Sequence, residues 1–591
     1  MKKTWLRIPA LFLCLVMLSG IAVAQEPQGV IDLEKIKSEY KYGDVLTFDT
    51  YGQLTEENRA VEGKDGVVSS QRYEASRIGA DIIAKGGNAV DAAVAAAFAL
   101  GVCEPNASGM GGGGFMTYRN GETGEIIFID FREVAPGAAT EDMYPQDENG
   151  NVIGNIMARG GKAVAVPGEV AGLMYILDNY GTMSRQEVLQ PAIDLANEGY
   201  LVTAKTNTTI TDAYQLMTDY PELGKIFLGD DGLPPEAGTY IKNPDLAKTL
   251  GIIAEKGAAG FYEGEVAQAL VDAAAKYGGI ITLEDLKNYQ ITVKEPVEGT
   301  YRGYKIYSAP PPSSGGTHLI QILNILENFD VGSLKFYGAE HMHLLSEAFK
   351  MVYLDRSTYM GDPDYVKVPL KGLVDKEYAK LLAEKIEEDK SKSYEVEDPW
   401  LYEGTDTSHL SVSDKAGNMI GITKTINYYY GSGVAVDGYG FILNNEMDDF
   451  SSKPGGPNSV QPGKKPLSSM SPTIVLREDG SPYMVLGAPG GYTIFAQVAQ
   501  VISDVIDFQL PLKDAIKAPR IFNWVDNTLE YQDGFGIPIE KAEVDKLTAI
   551  GHDMSHYMDG AFGFIQGTLY NEDGTIDGGA DYYADGVAVG Y

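Results

Sequence analysis

The chain has 591 residues, of which 47 are basic and 83 are acidic, so its formal net charge is −36 at pH 7. A chain this acidic repels nucleic acids and anionic lipids, and neither is expected as a partner. An apolar fraction of 44% and an aromatic fraction of 10% are typical of a folded globular protein and exclude a disordered one.

The N-terminus has the pattern of an export signal. An apolar run over residues 8–23 ends at Ala22-Val23-Ala24, which fits the small-x-small rule for cleavage. The positive start before this run comes from Lys2, Lys3 and Arg7. We expect residues 1–24 to be removed, which takes the net charge from −36 to about −39; an uncleaved anchor is the alternative. The mature protein is then secreted or periplasmic, with no stable membrane span.

The cysteine and histidine patterns argue against disulfides and metals. Cys14 lies in the signal, so Cys103 is the single cysteine of the mature chain and has no internal partner. Its apolar neighbours indicate a packing residue and not a nucleophile. The sequence has no H-E-x-x-H or similar ligand spacing, so we predict no metal and no other cofactor.

The first regular elements follow a polar lead-in over residues 25–66. They are a strand over residues 67–70, helices over residues 71–85 and 89–100, and a strand over residues 125–131. Asn88 is expected to cap the second, alanine-rich helix. The glycines at residues 111–114 are not followed by Gly-Lys-Ser/Thr, so they indicate close packing and not phosphate binding.

The middle of the chain, residues 160–390, is predicted to be mainly helical. Its periodic segments cover residues 188–198, 265–276, 318–326 and 341–353. A proline-rich and glycine-rich stretch at residues 310–316 predicts a rigid loop before a helix. The charged residues 385–398 indicate an exposed helix end and a linker. From Thr407 onward, short alternating runs predict a β-rich segment.

Residues 406–427 form a predicted hairpin whose two faces differ. If the turn is centred on Ala416, the apolar pairs are Leu410 with Ile422 and Val412 with Ile420, and the polar face pairs Thr407 with Thr425, His409 with Thr423, and Ser411 with Gly421. A threonine acts as a nucleophile when its own free α-amine takes the hydroxyl proton, which requires it to begin a chain. From this segment alone, an ordinary Thr–Thr cross-strand pair is the favoured interpretation.

Nine motifs, within residues 85–491, carry a family resemblance that extends from about residue 67 to the C-terminus, roughly nine-tenths of the chain. They are K-G-G-N-A-V-D-A-A-V-A-A-A, E-P-N-A-S-G-M-G-G-G-G-F-M, D-F-R-E-V-A-P, A-P-P-P-S-S-G-G-T-H-L-I-Q, Y-M-G-D-P-D, D-T-S-H-L-S-V-S-D, L-N-N-E-M-D-D-F, P-L-S-S-M-S-P-T-I and G-A-P-G-G. In this order the set resembles the γ-glutamyltransferase (γ-glutamyltranspeptidase) family of the N-terminal-nucleophile hydrolase superfamily.

The resemblance implies an α+β fold, a four-layer αββα sandwich formed jointly by two chains from one precursor. Self-cleavage between Asp406 and Thr407 would give a helix-rich large subunit, residues 25–406, and a β-rich catalytic small subunit, residues 407–591, which remain together as a heterodimer. Thr407 would attack the γ-glutamyl amide of glutathione or a related compound. The γ-glutamyl-enzyme would then pass its acyl group to water, or to an amino acid or peptide.

The resemblance also assigns a role to each site residue. Thr425 would hold the nucleophile, and the backbone amides of Gly490 and Gly491 would form the oxyanion hole. The α-carboxylate of the substrate would be bound by Arg132, Ser468 and Ser469, and its α-ammonium by Asn427, Glu446 and Asp449. A serine triad with His409 is not expected, because the chain has no G-x-S-x-G motif.

Three departures from the family pattern bear on specificity. The chain is short between Asp449 and Ser468, where many members carry a lid, so hydrolysis and long γ-linked substrates become more plausible. Tyr492-Thr493 replaces a common Ser-Arg, and the tail lacks an Asp-Pro-Arg, so the acceptor preference stays open.

Two other interpretations remain. A poly-γ-glutamate-cleaving enzyme or a glutaryl acylase would use the same fold, although a glutaryl group has no α-amine for the ammonium-binding residues. An unprocessed, inactive ligand-binding protein is the alternative of another class.

Overall fold

The computed structural model describes residue 55 and residues 59–148, 150–393, 407–557 and 562–591. The predicted export signal, most of the lead-in and the bond between Asp406 and Thr407 lie outside the described residues. Within those ranges, no helix combines the length and the apolar character needed to cross a bilayer.

Nineteen strands are present among the described residues. They are β1 Ala60–Gly63, β2 Gly66–Ser70, β3 Gly113–Arg119, β4 Ile126–Phe131, β5 Tyr200–Leu201, β6 Tyr240–Ile241, β7 Thr292–Lys294, β8 Val297–Tyr301, β9 Tyr304–Ser308, β10 Ser408–Asp414, β11 Met419–Thr425, β12 Thr473–Leu476, β13 Pro482–Gly487, β14 Arg520–Asn523, β15 Thr528–Gln532, β16 Asp553–His556, β17 Gln566–Tyr570, β18 Ile576–Ala580 and β19 Val587–Gly590.

Eighteen α-helices accompany them in the same ranges. They are α1 Tyr73–Ala84, α2 Ala89–Cys103, α3 Glu169–Tyr180, α4 Arg185–Glu198, α5 Ala204–Asp212, α6 Tyr214–Asp219, α7 Pro221–Phe227, α8 Pro244–Lys256, α9 Ala259–Tyr262, α10 Gly264–Lys276, α11 Leu283–Asn288, α12 Gly315–Leu326, α13 Ala339–Tyr359, α14 Leu370–Leu373, α15 Lys376–Ala383, α16 Ile494–Ile506, α17 Leu512–Lys517 and α18 Lys541–Ala549.

Two seven-stranded antiparallel sheets stack face to face at the centre. Sheet I has the spatial order β1-β18-β17-β13-β12-β9-β8, and sheet II has the order β19-β2-β10-β11-β3-β4-β7. Helices α1, α2 and α3 pack on the outer face of sheet II, whereas α12, α16 and α17 pack on the outer face of sheet I. The predicted four-layer αββα sandwich is confirmed, and each sheet contains strands from both sides of residue 407.

The hairpin β10–β11 occupies the middle of sheet II with the predicted register. His409 pairs with Thr423, Leu410 with Ile422 and Ser411 with Gly421. The apolar face of the hairpin joins the core beneath the helices of sheet II. Its polar face meets sheet I, where Ser411 donates a hydrogen bond to the Gln566 carbonyl (3.2 Å). The alternation of apolar and polar residues therefore determines which face of the hairpin packs under the helices and which face packs on sheet I.

The glycines at residues 111–114 let β3 approach its neighbours closely, as predicted. A Cβ at Gly111 would lie 1.9 Å from the carbonyl oxygen of Ile442, and one at Gly112 would lie 1.9 Å from that of Thr425. Any side chain at these two positions would overlap backbone atoms, so the glycines are required by packing.

The predicted helix cap and the predicted helices of the middle region are confirmed, but three strands were not predicted. The Asn88 side chain caps α2 by accepting from the backbone N–H groups of Val90 and Asp91, and Cys103 is buried at the end of that helix. The predicted helices in the middle of the chain are present as α4, α10, α12 and α13. Strands β7 to β9 in that region were not predicted, because they are short and half-exposed.

Candidate active site

Thr407 lies directly before β10 and is largely buried. Its hydroxyl donates a hydrogen bond to the hydroxyl oxygen of Thr425 (3.4 Å). That oxygen also accepts the backbone N–H of Asn427 (2.7 Å), which has a left-handed φ of 73° at the end of β11. The strand register and the turn after β11 therefore fix the position of the Thr425 hydroxyl beside Thr407.

A narrow pocket opens beside Thr407 and brings together residues from distant parts of the chain. Nine of the ten predicted catalytic and binding residues line it: Arg132, Thr407, Thr425, Asn427, Glu446, Asp449, Ser468, Ser469 and Gly491. Arg132 follows β4 of sheet II, whereas Glu446 and Asp449 lie in a short 3-10 turn, Glu446–Asp449. The fold thus assembles this set from six separate loops and strand ends.

The charged floor of the narrow pocket is an arginine surrounded by carboxylates. The Arg132 guanidinium is fully buried, lies 2.7 Å from a Glu446 oxygen and forms a second ion pair with Asp449. Burial lowers the pKa of this guanidinium, but the surrounding carboxylates outweigh that effect and leave the pKa above its ordinary value. Arg132 therefore keeps its charge inside the protein.

Burial acts on the surrounding carboxyls in the opposite direction and disfavours their charged form. Burial raises the pKa of the Glu446 carboxyl well above its ordinary value, and the charge of Arg132 opposes this shift only in part. Burial likewise raises the pKa of the Glu133 carboxyl, 3.7 Å from the Arg132 guanidinium. The cluster therefore binds protons more readily than exposed carboxyls do. A ligand with both a carboxylate and an ammonium group can replace part of this internal pairing.

Ser468 and Ser469 also line the narrow pocket, and they are held by residues that were not predicted from the sequence. The Ser468 carbonyl accepts the backbone N–H of Ser314 (2.7 Å), from the proline-rich loop before α12. Arg356 of α13, fully buried, donates to the hydroxyl oxygens of Ser469 and Ser314, each at 2.9 Å. The sequence shows only that Arg356 follows the helical pattern of residues 341–353. Its burial is known from the structure.

Gly490 and Gly491 lie in the turn between β13 and α16. Both have positive φ values, 130° and 56°. A Cβ at Gly490 would lie 3.1 Å from Gly563 Cα. Gly491 lines the narrow pocket, whereas Gly490 is outside its lining. Such φ values favour glycine at both positions, and Gly491 lies with Thr407 in the lining of the narrow pocket.

His409 and Ser411 are hydrogen-bonded but do not form a catalytic pair. The His409 imidazole bonds to the Thr423 hydroxyl (2.8 Å) and to the Ser411 hydroxyl (3.0 Å) between the two sheets. Burial lowers the pKa of His409 to about 3, so the ring is neutral. Both residues are fully buried, so a substrate cannot reach either of them.

One group of metal-ligand residue types occurs in the described part of the chain, far from Thr407 in sequence: His343, Glu347 and His552. The two imidazoles are hydrogen-bonded to each other (2.8 Å), and the Lys350 ammonium lies 2.7 Å from a Glu347 oxygen. A lysine already provides the positive charge beside this carboxylate, so we assign the group to internal packing.

Comparison with known proteins gives one family. The family model described as "Gamma-glutamyltranspeptidase" matches residues 75–591. The chain is 41% identical to a glutathione hydrolase proenzyme of Escherichia coli, over 92% of this chain and 94% of the relative. It is 39% identical to a glutathione hydrolase proenzyme of Bacillus subtilis, over 100% of this chain and 99% of the relative.

A solved structure supports the same fold. The crystal structure of a cephalosporin acylase from Bacillus halodurans superposes with a TM-score of 0.81 at 28% identity, covering 92% of this chain and 99% of that one. The similarity therefore extends over both sheets and both helical layers.

Proposed function

Because the chain belongs to the gamma-glutamyltranspeptidase family, it is an enzyme of the glutathione hydrolase and γ-glutamyltransferase type, made as a proenzyme, and we propose that Thr407 is its nucleophile. The observation that carries this assignment is the hydrogen bond from the Thr407 hydroxyl to Thr425, beside a pocket that contains both a cation and anions. An amino acid has both charges, and a γ-glutamyl group is an amino acid joined through its side chain.

Maturation of the precursor supplies the base. Cleavage between Asp406 and Thr407 makes the Thr407 α-amine free, and this amine takes the proton from the hydroxyl. The products are a large subunit of residues 25–406 and a small subunit of residues 407–591. The N-terminal signal exports the precursor, and the mature enzyme is secreted or periplasmic.

In the acylation step, Thr407 Oγ1 attacks the γ-carbonyl of the donor, glutathione or a related γ-glutamyl compound. The Oγ1–C bond forms, the C–N amide bond breaks, and the departing amine receives the proton. Backbone N–H groups of Gly490 and Gly491 face the developing oxyanion, and each such donor contributes about 3 kcal/mol to the transition state. Arg132, Ser468 and Ser469 bind the α-carboxylate, while Asn427, Glu446 and Asp449 bind the α-ammonium.

In the second step, water or the amine of an amino acid or peptide attacks the ester carbon. The new bond to that carbon forms, the C–Oγ1 bond breaks, and a proton from the attacking group returns to Oγ1. Hydrolysis and transfer therefore differ only in the molecule that reaches the acyl-enzyme.

The test starts from the purified mature protein on a denaturing gel and its release of p-nitroaniline from γ-glutamyl-p-nitroanilide. We expect two chains and activity from the wild type. Thr407→Ala is expected to stay uncut and to lose at least about 10³-fold in rate, whereas Thr407→Ser retains part of both functions. A single uncut wild-type chain without activity, or a Thr407→Ala protein that still splits at this bond, would refute the assignment.

An acylase activity is the second candidate, because the solved structure reported above is a cephalosporin acylase. The acids Glu446 and Asp449 beside Arg132 favour a donor with an α-ammonium. Parallel assays with γ-glutamyl-p-nitroanilide and glutaryl-p-nitroanilide separate the two, and we expect the first compound to be preferred.

A further inference from the structure

The turn that carries Ser468 and Ser469 brings two hydroxyl groups to the lining of the narrow pocket. Each hydroxyl oxygen accepts a hydrogen bond from the protein: that of Ser469 from the Arg356 guanidinium (2.9 Å), and that of Ser468 from the backbone N–H of Met470 (3.2 Å). Among the residues that the structure describes, neither hydroxyl donates a hydrogen bond to an acceptor of the protein. Both protons can therefore serve a ligand in the narrow pocket.

We propose that Arg356 is a positioning residue for the donor substrate: by donating to the Ser469 hydroxyl oxygen, it directs the Ser469 proton to the α-carboxylate of the γ-glutamyl group. This proposal rests on the proposed function, which places that carboxylate beside Ser469. Arg356 is fully buried and is not part of the pocket lining, so a substrate does not touch it. Its effect on the substrate passes through Ser469.

The direction of the Ser469 proton follows from the chemistry of the two groups. A guanidinium has five N–H donors and no acceptor, whereas a hydroxyl has one donor and two acceptor lone pairs. Ser469 can only accept from Arg356, so its proton points away from the guanidinium. Without that neighbour, a serine hydroxyl can rotate and donate to a nearby backbone carbonyl instead. Because O–H groups form short, strong hydrogen bonds to carboxylates, a fixed proton favours donors whose α-carboxylate is free.

A second contact of the same guanidinium holds the turn itself. Arg356 also donates to the Ser314 hydroxyl oxygen (2.9 Å). Ser314 donates to the Ser468 carbonyl both from its hydroxyl (2.8 Å) and from its backbone N–H (2.7 Å). Since the guanidinium is a planar fork with fixed donor directions, one arginine positions Ser469 directly and Ser468 through Ser314.

A role of Arg356 in folding alone would give a different kinetic result. The α-carboxylate is remote from the γ-carbonyl that reacts, so its hydrogen bonds are the same in the bound donor and in the transition state. Loss of such an interaction raises KM and leaves kcat nearly unchanged. Loss of stability alone lowers the amount of active enzyme, and with it the apparent kcat, but leaves KM as it is.

The experiment measures kcat and KM for γ-glutamyl-p-nitroanilide with the processed two-chain enzyme. Arg356→Met replaces the guanidinium by a flexible apolar side chain that fills irregular spaces. We expect KM to rise about tenfold and kcat to stay within about twofold, the effect of losing one charge-assisted hydrogen bond to the donor. Arg356→Lys keeps a cation but not the fork, so its KM should rise about threefold.

A double-mutant cycle tests whether Arg356 acts through Ser469. Ser469→Ala removes the hydroxyl that Arg356 is proposed to orient, and its own KM should rise at least as much as that of Arg356→Met. In the Ser469→Ala background, Arg356→Met is expected to change KM by less than about twofold, because the two residues belong to one interaction.

Arg520→Lys is the matched control. Arg520 is also a buried arginine, 4% exposed, and its guanidinium donates to four backbone carbonyls outside the narrow pocket. Loss of the fork there can lower the apparent Tm, as in Arg356→Lys, but KM should equal that of the wild type.

Two results would overturn the proposal: a wild-type KM in the Arg356 variants, or an effect of Arg356→Met that is as large in the Ser469→Ala background as in the wild type. If Arg356→Met does not split into two chains, Arg356→Lys takes its place in the cycle and is judged by the same two results. A wild type that releases no p-nitroaniline refutes the proposed function itself, so the two failures are distinguishable.

Discussion

At the scale of single residues, the hydroxyl of Thr425 fixes the position of Thr407, the proposed nucleophile. It accepts from both Thr407 and the N–H of Asn427. Valine has the shape of threonine but no hydroxyl, so Thr425→Val is expected to lower kcat/KM for γ-glutamyl-p-nitroanilide about tenfold, the equivalent of one hydrogen bond. Thr425→Ser, which keeps the hydroxyl, should retain most of the activity. A Thr425→Val enzyme as fast as the wild type would contradict this role.

The sequence did not indicate which acidic residues of the protein pair with Arg132. The family resemblance assigned Arg132, in the motif D-F-R-E, to the α-carboxylate of the substrate. In the structure Arg132 already pairs with Glu446 and Asp449. These acids lie more than 300 positions away in the chain, and no local pattern indicates that they converge on one guanidinium. Under the proposed function, a substrate carboxylate would have to replace one of these acids at Arg132.

At the scale of elements, the contact between β3 and the end of β11 needs a glycine. A Cβ at Gly112 would lie 1.9 Å from the Thr425 carbonyl oxygen. Gly112→Ala must therefore displace the strand end that carries Thr425. We expect a lower apparent Tm, by several degrees, together with a loss of activity.

The matched control for that variant is Gly251→Ala in the interior of α8. An added Cβ there meets nothing within 4 Å. Alanine favours the helix by about 0.5–1 kcal/mol, so this variant should be as stable as the wild type or more stable, and fully active. Equal stability of the two alanine variants would show that the close contact at Gly112 is unimportant.

Helix α16 carries a buried carboxyl that makes stability depend on pH. Burial raises the pKa of Asp504 to about 8, and the charge of Arg520 opposes the shift. An unfolded aspartate ionises near pH 3.8, so between that pH and about 8 the folded chain binds more protons than the unfolded one. The contribution of Asp504 to stability is therefore complete at low pH and is lost as the pH rises through about 8.

Asp504→Asn removes this dependence. The difference in apparent Tm between the variant and the wild type should be near zero at pH 4 and should increase in favour of the variant up to about pH 8. Thermal unfolding at a series of pH values measures it. A difference that stays constant with pH would show that Asp504 is not the titrating group.

At the scale of the whole molecule, the two sheets hold together the segments before and after residue 407. In sheet II, β10 and β11 lie between β2 and β3, and in sheet I, β12, β13, β17 and β18 lie between β1 and β9. Chains cut at Thr407 cannot separate without breaking strand pairs in both sheets. We expect the processed chains to elute as one species in size-exclusion chromatography, even in about 1 M salt, and to separate only in denaturant. Separate elution without denaturant would contradict this arrangement.

The sequence by itself determined the features that depend on local periodicity and local sterics. The register of β10 with β11 followed from alternation, because a shift of one residue would have turned Leu410 and Val412 away from the core beneath the helices of sheet II. The cap at Asn88 was also local. The motif order indicated the family, and the family implied the four layers.

Only the tertiary structure decided what depends on contacts between distant segments. Strands β7 to β9 have weak patterns and exist because sheet edges pair with them. The contact of Arg356 with Ser469 and the ion pair of Arg132 with Glu446 each join parts of the chain more than 100 residues apart. Periodicity describes which face of an element is apolar, but only packing decides which charged groups meet there.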